Sequence, residues 1–412
     1  VISRLLPAEA WRRNQHVTVA AVFAVFTGFA FVLPFLPLYV RELGVPAEDA
    51  ALWAGVLIGV SPLLAGLLAP VWGRLADRHG HRRVALKALV AYVLLLLLSG
   101  AVTSAPQLLV LRMGIGLFGG IGPLGLAMAA AHAPRDQTGR ALGAVQAAQI
   151  LSAAVGPLLG GVLADTIGMR WTFVATAGVC AGALWLVFAY YEDGGRAPRD
   201  AAEPAAGAGI LLARGVLPLL LVLFLVNFVG RSFTPVLPLH LHELGVPAPR
   251  LAASTGVLIS VYSVAAAFSA ALLGRVSRRW PPLLLLSGSL LGGALAVWPM
   301  ALVERFPALL ALALALGLAS GGGLTLCYTI GSGLVPSATR ATAFGFFSGA
   351  ALFGGAVSPA VAGALAREDL RAIYRLDAAV FAVLALGTLA AALVAGRLPA
   401  PAADAPSPPP AG

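Results

Sequence analysis

Charge is scarce in this chain. Only 11% of its 412 residues are Asp, Glu, Lys or Arg, against about 25% in a soluble domain. That scarcity excludes an ordinary water-soluble fold over most of the length. Lysine is nearly missing: Lys87 is the only one, and Arg supplies the other basic residues. With the abundance of Ala, Gly and Leu, this bias fits a GC-rich bacterial genome. Two cysteines occur, Cys180 and Cys327, both inside apolar runs, so neither a disulfide framework nor a thiolate metal site is expected. The histidines are scattered and form no H-E-x-x-H pair. Neither G-x-S-x-G nor a P-loop is present. Zinc hydrolysis, serine hydrolysis and direct ATP-driven pumping therefore have no sequence basis. No enzyme activity, metal or cofactor is expected. The formal charge of +10 raises the question of nucleic acid. The basic residues lie in short breaks between apolar runs rather than on one soluble face, so no nucleic-acid partner is expected.

What fills the chain is apolar sequence, with a mean hydropathy of +0.92. A helix needs ~20 mostly apolar residues to cross a bilayer. Twelve such stretches recur: 17–40, 51–71, 84–105, 107–131, 141–163, 171–191, 215–240, 252–273, 283–303, 307–333, 341–365 and 374–396. In lipid the backbone must satisfy its own hydrogen bonds, so stretches of this length are helices. A barrel would instead show short segments of alternating polarity. The expected fold class is an all-α membrane protein with 12 transmembrane helices in two pseudo-symmetric six-helix bundles. Val1 reads as an untranslated alternative start codon. The first apolar run is too long for a signal-peptide core and follows no cleavage pattern, so it is expected to be a retained span.

Basic residues orient the spans. With the N-terminus placed in the cytoplasm, eighteen Arg and Lys fall in inside segments and seven in outside segments; Arg112 and Arg231 lie within spans. Both termini are thus expected in the cytoplasm of a bacterial inner membrane. Residues 192–214 contain EDGGRAPRD and are rich in Gly, Pro and charge, the composition of a flexible linker. The expected organisation is a tail over 1–16, a bundle over 17–191, a cytoplasmic linker over 192–214, a second bundle over 215–397, and a disordered Pro- and Ala-rich tail over 398–412.

The two halves repeat. Residues 36–46 read LPLYVRELGVP and residues 237–247 read LPLHLHELGVP, an offset of 201. Gly55 to Ile58 map onto Gly256 to Ile259, and Gly73-Arg74 onto Gly274-Arg275. After a one-residue slip, Pro134, Gly143, Pro157 and Gly161 map onto Pro336, Gly345, Pro359 and Gly363. An even number of spans per repeat sets both halves the same way up, related by an axis along the membrane normal. That geometry creates a cleft between them.

Residues 73–83, GRLADRHGHRR, resemble the loop between spans 2 and 3 of the major facilitator superfamily. Gly73, Leu75, Asp77, Arg78, Gly80, Arg82 and Arg83 all fit its pattern. The resemblance implies a conformational latch, in which Asp77 meets a helix N-terminus of the other bundle, where a carboxylate is stabilised. Gly73 is expected to allow close helix approach and Gly80 a tight turn. In span 5, Ser152 and Gly156-Pro157-Leu158-Leu159-Gly160-Gly161 are similar to the motif of the 12-span drug:proton antiporter branch. Ser152, Gly156 and Gly160 share one helical face, and the resemblance implies that this face packs against span 8 and resists leak. Arg112 and Gly116 match the family's R-x-x-x-G pattern in span 4, with Ile115 where a polar residue is common. The resemblance covers nearly the whole chain.

A charge within a span costs at least ~2.5–3.5 kcal/mol and marks a functional site by default. Arg112 either snorkels to the surface or serves the pathway. Arg231 and Asn227 form a polar stripe on span 7, with Thr234 near by, that either faces the cleft or bonds a neighbouring helix. Gln146, Gln149 and Tyr262 are further pathway candidates. No span shows a clear midplane acid. Arg keeps its proton near neutral pH, so the titratable candidates are Asp77, Asp165, Asp377 and His240, all expected near the membrane surfaces. The expected function is secondary export of amphipathic or drug-like molecules by alternating access, driven by the proton gradient. The partners would be the lipid bilayer, a small-molecule substrate and the proton, and the chain is expected to be a monomer. Export of sugars, metabolites or lipids on the same fold is the alternative, and a non-transporting membrane sensor is a further one.

Overall fold

The structure, a computed structural model, describes residues 10–118, 120–134, 137–193, 215–335 and 340–395, without the side chains of residues 70, 77, 132, 139, 340, 341 and 395. Most of the linker and both tails lie outside the described residues. Eleven described helices are long and apolar enough to cross a membrane, or twelve when one bent pair counts as a span. In chain order they are α1 (Ala10–Glu42), α2 (Ala47–His79), α3 (His81–Ala101), α4 (Ala105–Ala131), α5 (Thr138–Ile167), α6 (Met169–Tyr190), α7 (Val216–Ser232, continuing as Leu237–Glu243), α8 (Leu251–Val276), α9 (Pro282–Met300), α10 (Phe306–Leu334), α11 (Arg340–Leu365) and α12 (Ala372–Ala395).

Proline and glycine break the helices at repeat-equivalent places. Proline removes a backbone donor and crowds the preceding turn. Pro34 and Pro37 turn the chain through a 3-10 segment at Leu33–Phe35 within α1. Their counterparts Pro235 and Pro238 lie at the 42° bend of α7. In α4 the break falls at Gly120, whose φ of +155° suits glycine. In α10 it falls at Gly321 and Gly322, between Phe306–Ser320 and Gly323–Leu334.

α2 differs from its expected extent. It continues without interruption to His79, so residues 73–79 are the last turns of a helix rather than a loop. Only Gly80, at φ +89°, separates α2 from α3. At 33 residues α2 exceeds the bilayer's need of ~20, which lifts its charged end out of the lipid.

Two large clusters of buried side chains, and a small one of Val22, Ala129, Ala141 and Val145, organise the described residues. One large cluster runs from Val17 to Tyr191 and adds Ala252; the other runs from Val216 to Ala385. In the first half α1 packs on α5 and α6, and α3 on α6. In the second, α7 packs on α11 and α9 on α12. Large apolar side chains such as Leu98, Trp171, Leu221, Leu295 and Val383 remain exposed, as lipid-facing positions require. Lipid is as apolar as leucine, so close packing and internal hydrogen bonds hold such helices together. The halves meet where α2 runs along α11 and α5 along α8.

Candidate functional site: a cleft closed at one face

Call the terminal face the side on which α1 begins and α12 ends, and the distal face the other. The inter-bundle contacts lie toward the distal face and obey the repeat residue by residue. A Cβ on Gly55 of α2 would strike the Pro359 backbone of α11, and one on its repeat counterpart Gly256 of α8 would strike Pro157 of α5. A Cβ on Gly363 of α11 would strike Ala51, and one on its counterpart Gly161 of α5 would strike Ala252. Four glycines therefore let two helix pairs touch backbone to backbone. Beyond them sit polar ties. Asp165, at the end of α5, accepts the backbone N–H groups of Ala252 and Ala253 at 3.1 and 2.7 Å, capping α8. Arg367, just after α11, pairs with Asp49 in the first turn of α2 at 2.5 Å.

Toward the terminal face the glycines lose these contacts. A Cβ on Gly73, Gly143 or Gly345 would meet nothing within 4 Å. The cleft is therefore closed distally and open toward the terminal face. The close approach expected at Gly73 is not made in this conformation. Within the latch segment, Arg82 binds its own bundle. The Arg82 amide donates to Asp193 Oδ1 at 3.1 Å, its guanidinium donates to the Phe188 carbonyl at 2.6 Å, and it lies over the Phe188 ring. A Cβ on Gly80 would sit 2.5 Å from Asp193 Oδ2. Leu75 packs against the first bundle's core, Arg78 and Arg83 are exposed, and the side chain of Asp77 lies outside the described ones.

The motif in α5 divides between two neighbours. Ser152 donates to the Phe23 and Ala148 carbonyls at 3.0 and 2.7 Å. Gly156 faces Ala30 and Thr27, and Gly160 faces Phe31. That face packs against α1, not α8, which corrects the expectation from sequence. Pro157 and Gly161, about 100° away on the helix, are the residues against α8. The shared face of Ser152, Gly156 and Gly160 was legible; the helix it would meet was not.

Arg112 does not snorkel. It is 1% exposed, and its Nε and one terminal nitrogen have no hydrogen-bond partner among the described residues. Ser61 of α2 donates to its carbonyl at 2.7 Å. Gly116, one turn on, presses against Ser61 and Leu64. The pair thus forms the α2–α4 seam of the first bundle. Arg231, by contrast, is exposed, ~22 Å along α7 from its terminal-face start at ~1.5 Å per residue. Its stem and the Asn227 amide both approach Gly355 of α11, and Tyr262 lies within its electrostatic reach. Tyr262 stacks edge-on against Phe233 at 5.6 Å and hydrogen-bonds Ser320. Gln146 is exposed on α5, and Gln149 approaches Gly122 of α4 beside Phe26. Arg231, Asn227 and Tyr262 are brought together; Gln146 and Gln149 belong to the opposite bundle.

Two of the groups expected near the membrane surfaces lie close to helix ends and are buried within the protein. His240 and Asp377 are both 0% exposed. Asp377 contacts the Ser232 hydroxyl, and His240 Nδ1 lies 3.0 Å from the Tyr374 hydroxyl. α7 and α12 cross at the bend after Ser232, which draws both groups inside. Tyr374, Ser232 and Ser320 escaped sequence reasoning, since nothing in their local pattern separates them from packing residues.

Two repeat-related six-helix bundles that touch at one face and leave a cleft from the other define a polytopic membrane transporter. The family model described as Major Facilitator Superfamily matches residues 18–304 and 251–411. A multidrug resistance protein MdtG of Salmonella heidelberg (strain SL476) is 33% identical over 379 residues, covering 90% of this chain and 93% of that protein. The protein of the same description from Dickeya zeae (strain Ech586) is 33% identical over 331 residues, covering 78% and 79%. Among solved structures, a bacterial homolog of the human lysosomal transporter Spinster, inward-facing and occupied, superposes with a TM-score of 0.78 at 16% identity, covering 96% and 100%. The human organic anion transporter MFSD10 gives 0.64 at 19% identity, covering 92% and 100%. This chain belongs to the major facilitator superfamily.

Proposed function

We propose that the protein is a secondary active exporter of amphipathic, drug-like molecules, driven by protons, in a bacterial inner membrane. The single observation that carries this reading is the cleft itself. It is sealed distally by repeat-matched glycine contacts and open at the terminal face, and Arg231 is exposed deep within it. The resemblance to MdtG proteins over most of both chains supports drug-like cargo. The excess of basic residues at the terminal face supports a cytoplasmic location for it. The conformation is then inward-facing, ready to load from the cytoplasm. Alternating access follows if the distal contacts part while the latch around Asp77 closes the opposite face. The chain works as a monomer, without enzyme chemistry or cofactor.

The test is a compound-susceptibility screen in an efflux-deficient host, comparing the intact protein with Asp77→Asn and Arg231→Ala. The reading expects protection by the intact protein, reduced by both variants, together with dye efflux that a protonophore abolishes. Efflux that persists after full uncoupling sinks proton drive. Protection absent from every amphipathic compound, with sugar or lipid movement in its place, sinks the cargo class.

A further inference from the structure

The repeat shows where the halves differ chemically. In the first half Tyr39 of α1 and Phe173 of α6 pack with ring centroids 5.1 Å apart at 50°. At an offset of 201, His240 of α7 and Tyr374 of α12 pack 5.3 Å apart, also at 50°. The same offset takes Thr176 to Asp377. One geometry thus holds a phenol, a phenyl ring and a hydroxyl in one half, and an imidazole, a phenol and a carboxyl in the other.

We infer that Asp377 is the proton-binding site of this transporter, supplied from the distal face through His240 and Tyr374 and discharging into the cleft beside Tyr262. The inference rests on the reading of the protein as a proton-driven exporter. Asp377 is 0% exposed and has no ion-pair partner among the described residues. An unpaired buried carboxylate is far costlier than the neutral acid. The hydrogen-bond partner of Asp377 among the described residues is a single hydroxyl. Ser232 has one hydroxyl proton, and its oxygen lies 3.0 Å from the Val229 carbonyl, which can only accept. Ser232 Oγ also donates to Asp377 Oδ2, so one proton serves two acceptors and gives the carboxylate little support. Asp377 Oδ1 and His240 Nε2 are both buried and have no hydrogen-bond partner among the described residues, which leaves each free to take up a proton.

The charged and titratable groups around Asp377 form a thread across the distal half. At the surface Glu243 of α7 and Arg371 lie 3.9 Å apart and are partly exposed. Within come His240 and Tyr374, then Asp377, one turn after Tyr374 on the same face of α12. Tyr262 of α8 is within electrostatic reach of both Asp377 and Arg231, which opens to the cleft. α9, which packs along α12, carries no titratable side chain, and neither does α11 from Thr342 to Leu365. A proton from outside binds His240, passes through the Tyr374 hydroxyl, which accepts one proton as it releases another, and forms the O–H bond at Asp377. That bond breaks toward the cleft, and the carboxylate is left for the next proton. No oxidant or second reactant is needed.

The test uses the full chain in vesicles, with ethidium as probe and an entrapped pH dye. The wild type should accumulate ethidium when a proton gradient is imposed, and its infrared spectrum near neutral pH should keep a carboxylic acid C=O band. Asp377→Asn should lose that band and at least tenfold of the accumulation, whereas Thr176→Ala should keep both. If the wild type itself ignores the gradient, the proton-driven reading fails and the inference with it. If the wild type responds and Asp377→Asn responds equally, or keeps the band, only the assignment of Asp377 is overturned. Should Asp377→Asn fail to insert, Ser232→Ala decides: its band must titrate at a shifted pH, and an unshifted band overturns the assignment.

Discussion

Arg367 reaches from the second bundle to Asp49 of the first, its Nε and one terminal nitrogen both on Oδ1, at 2.7 and 2.5 Å. The repeat counterpart of Arg367 is Asp165, which holds the start of α8 by two backbone amides. The distal face is thus tied by one cation and one anion at equivalent places. The two ties differ in strength. Arg367 is half exposed, and exposed pairs contribute only about 0–1 kcal/mol. A carboxylate on two amides at a helix N-terminus is worth about 1.5–3 kcal/mol. Asp165→Ala should therefore raise the distally open population by about tenfold, and Arg367→Ala by less than about fivefold. Pulsed electron resonance between spin labels at Arg41 and His242, both exposed at this face, would read the populations. Equal effects of the two variants would refute the ranking.

Adjacent glycines in α5 should fail differently. Gly160 lies against Phe31 within its own bundle, and Gly161 lies against Ala252 of the other. Overpacking costs about 1–3 kcal/mol. In Gly160→Val the loss falls on the first bundle and lowers its melting temperature. In Gly161→Val it falls on the distal closure, so the melting temperature holds while the Arg41–His242 distance lengthens. Gly178→Val, with open space around it, should change neither.

Arg112 separates stability from transport. A buried charge without a counter-ion destabilises by several kcal/mol, and an apolar replacement of similar volume is often neutral or stabilising. Arg112→Met should therefore melt at or above the wild-type temperature. If the residue is kept for the transport cycle, drug protection should fall about tenfold, the equivalent of about 1.4 kcal/mol. A variant that is both less stable and fully active would show a purely structural arginine.

Arg231 should set charge preference. It is the exposed cation beside Asn227 and Tyr262, and one charge-assisted hydrogen bond contributes about 1.5–3 kcal/mol. Arg231→Ala should weaken export of anionic amphipaths by about tenfold or more and improve that of cationic ones of similar size. Susceptibility profiles against matched anionic and cationic compounds would read the change. Parallel losses for both charges would place Arg231 outside cargo recognition.

That this chain lives in lipid, and that it is built twice, was legible in its residues alone. Apolar runs near bilayer length leave the backbone no partner but itself, so helices follow. Pro34 with Pro235, and Gly55 with Gly256, fix an offset that no packing detail could alter. The same logic marked Arg112 and Arg231 as costly. Partners lay beyond it. Helical spacing places Ser152, Gly156 and Gly160 on one face, but whether α1 or α8 meets that face depends on how six helices are arranged around it. Arg112 and Arg231 look alike in sequence, yet one closes a seam and the other opens to the cleft. Asp377 looks like a residue near a helix end. Only the crossing of α7 and α12, 145 residues apart along the chain, buries it against Ser232, because burial is a property of neighbours that local sequence does not encode.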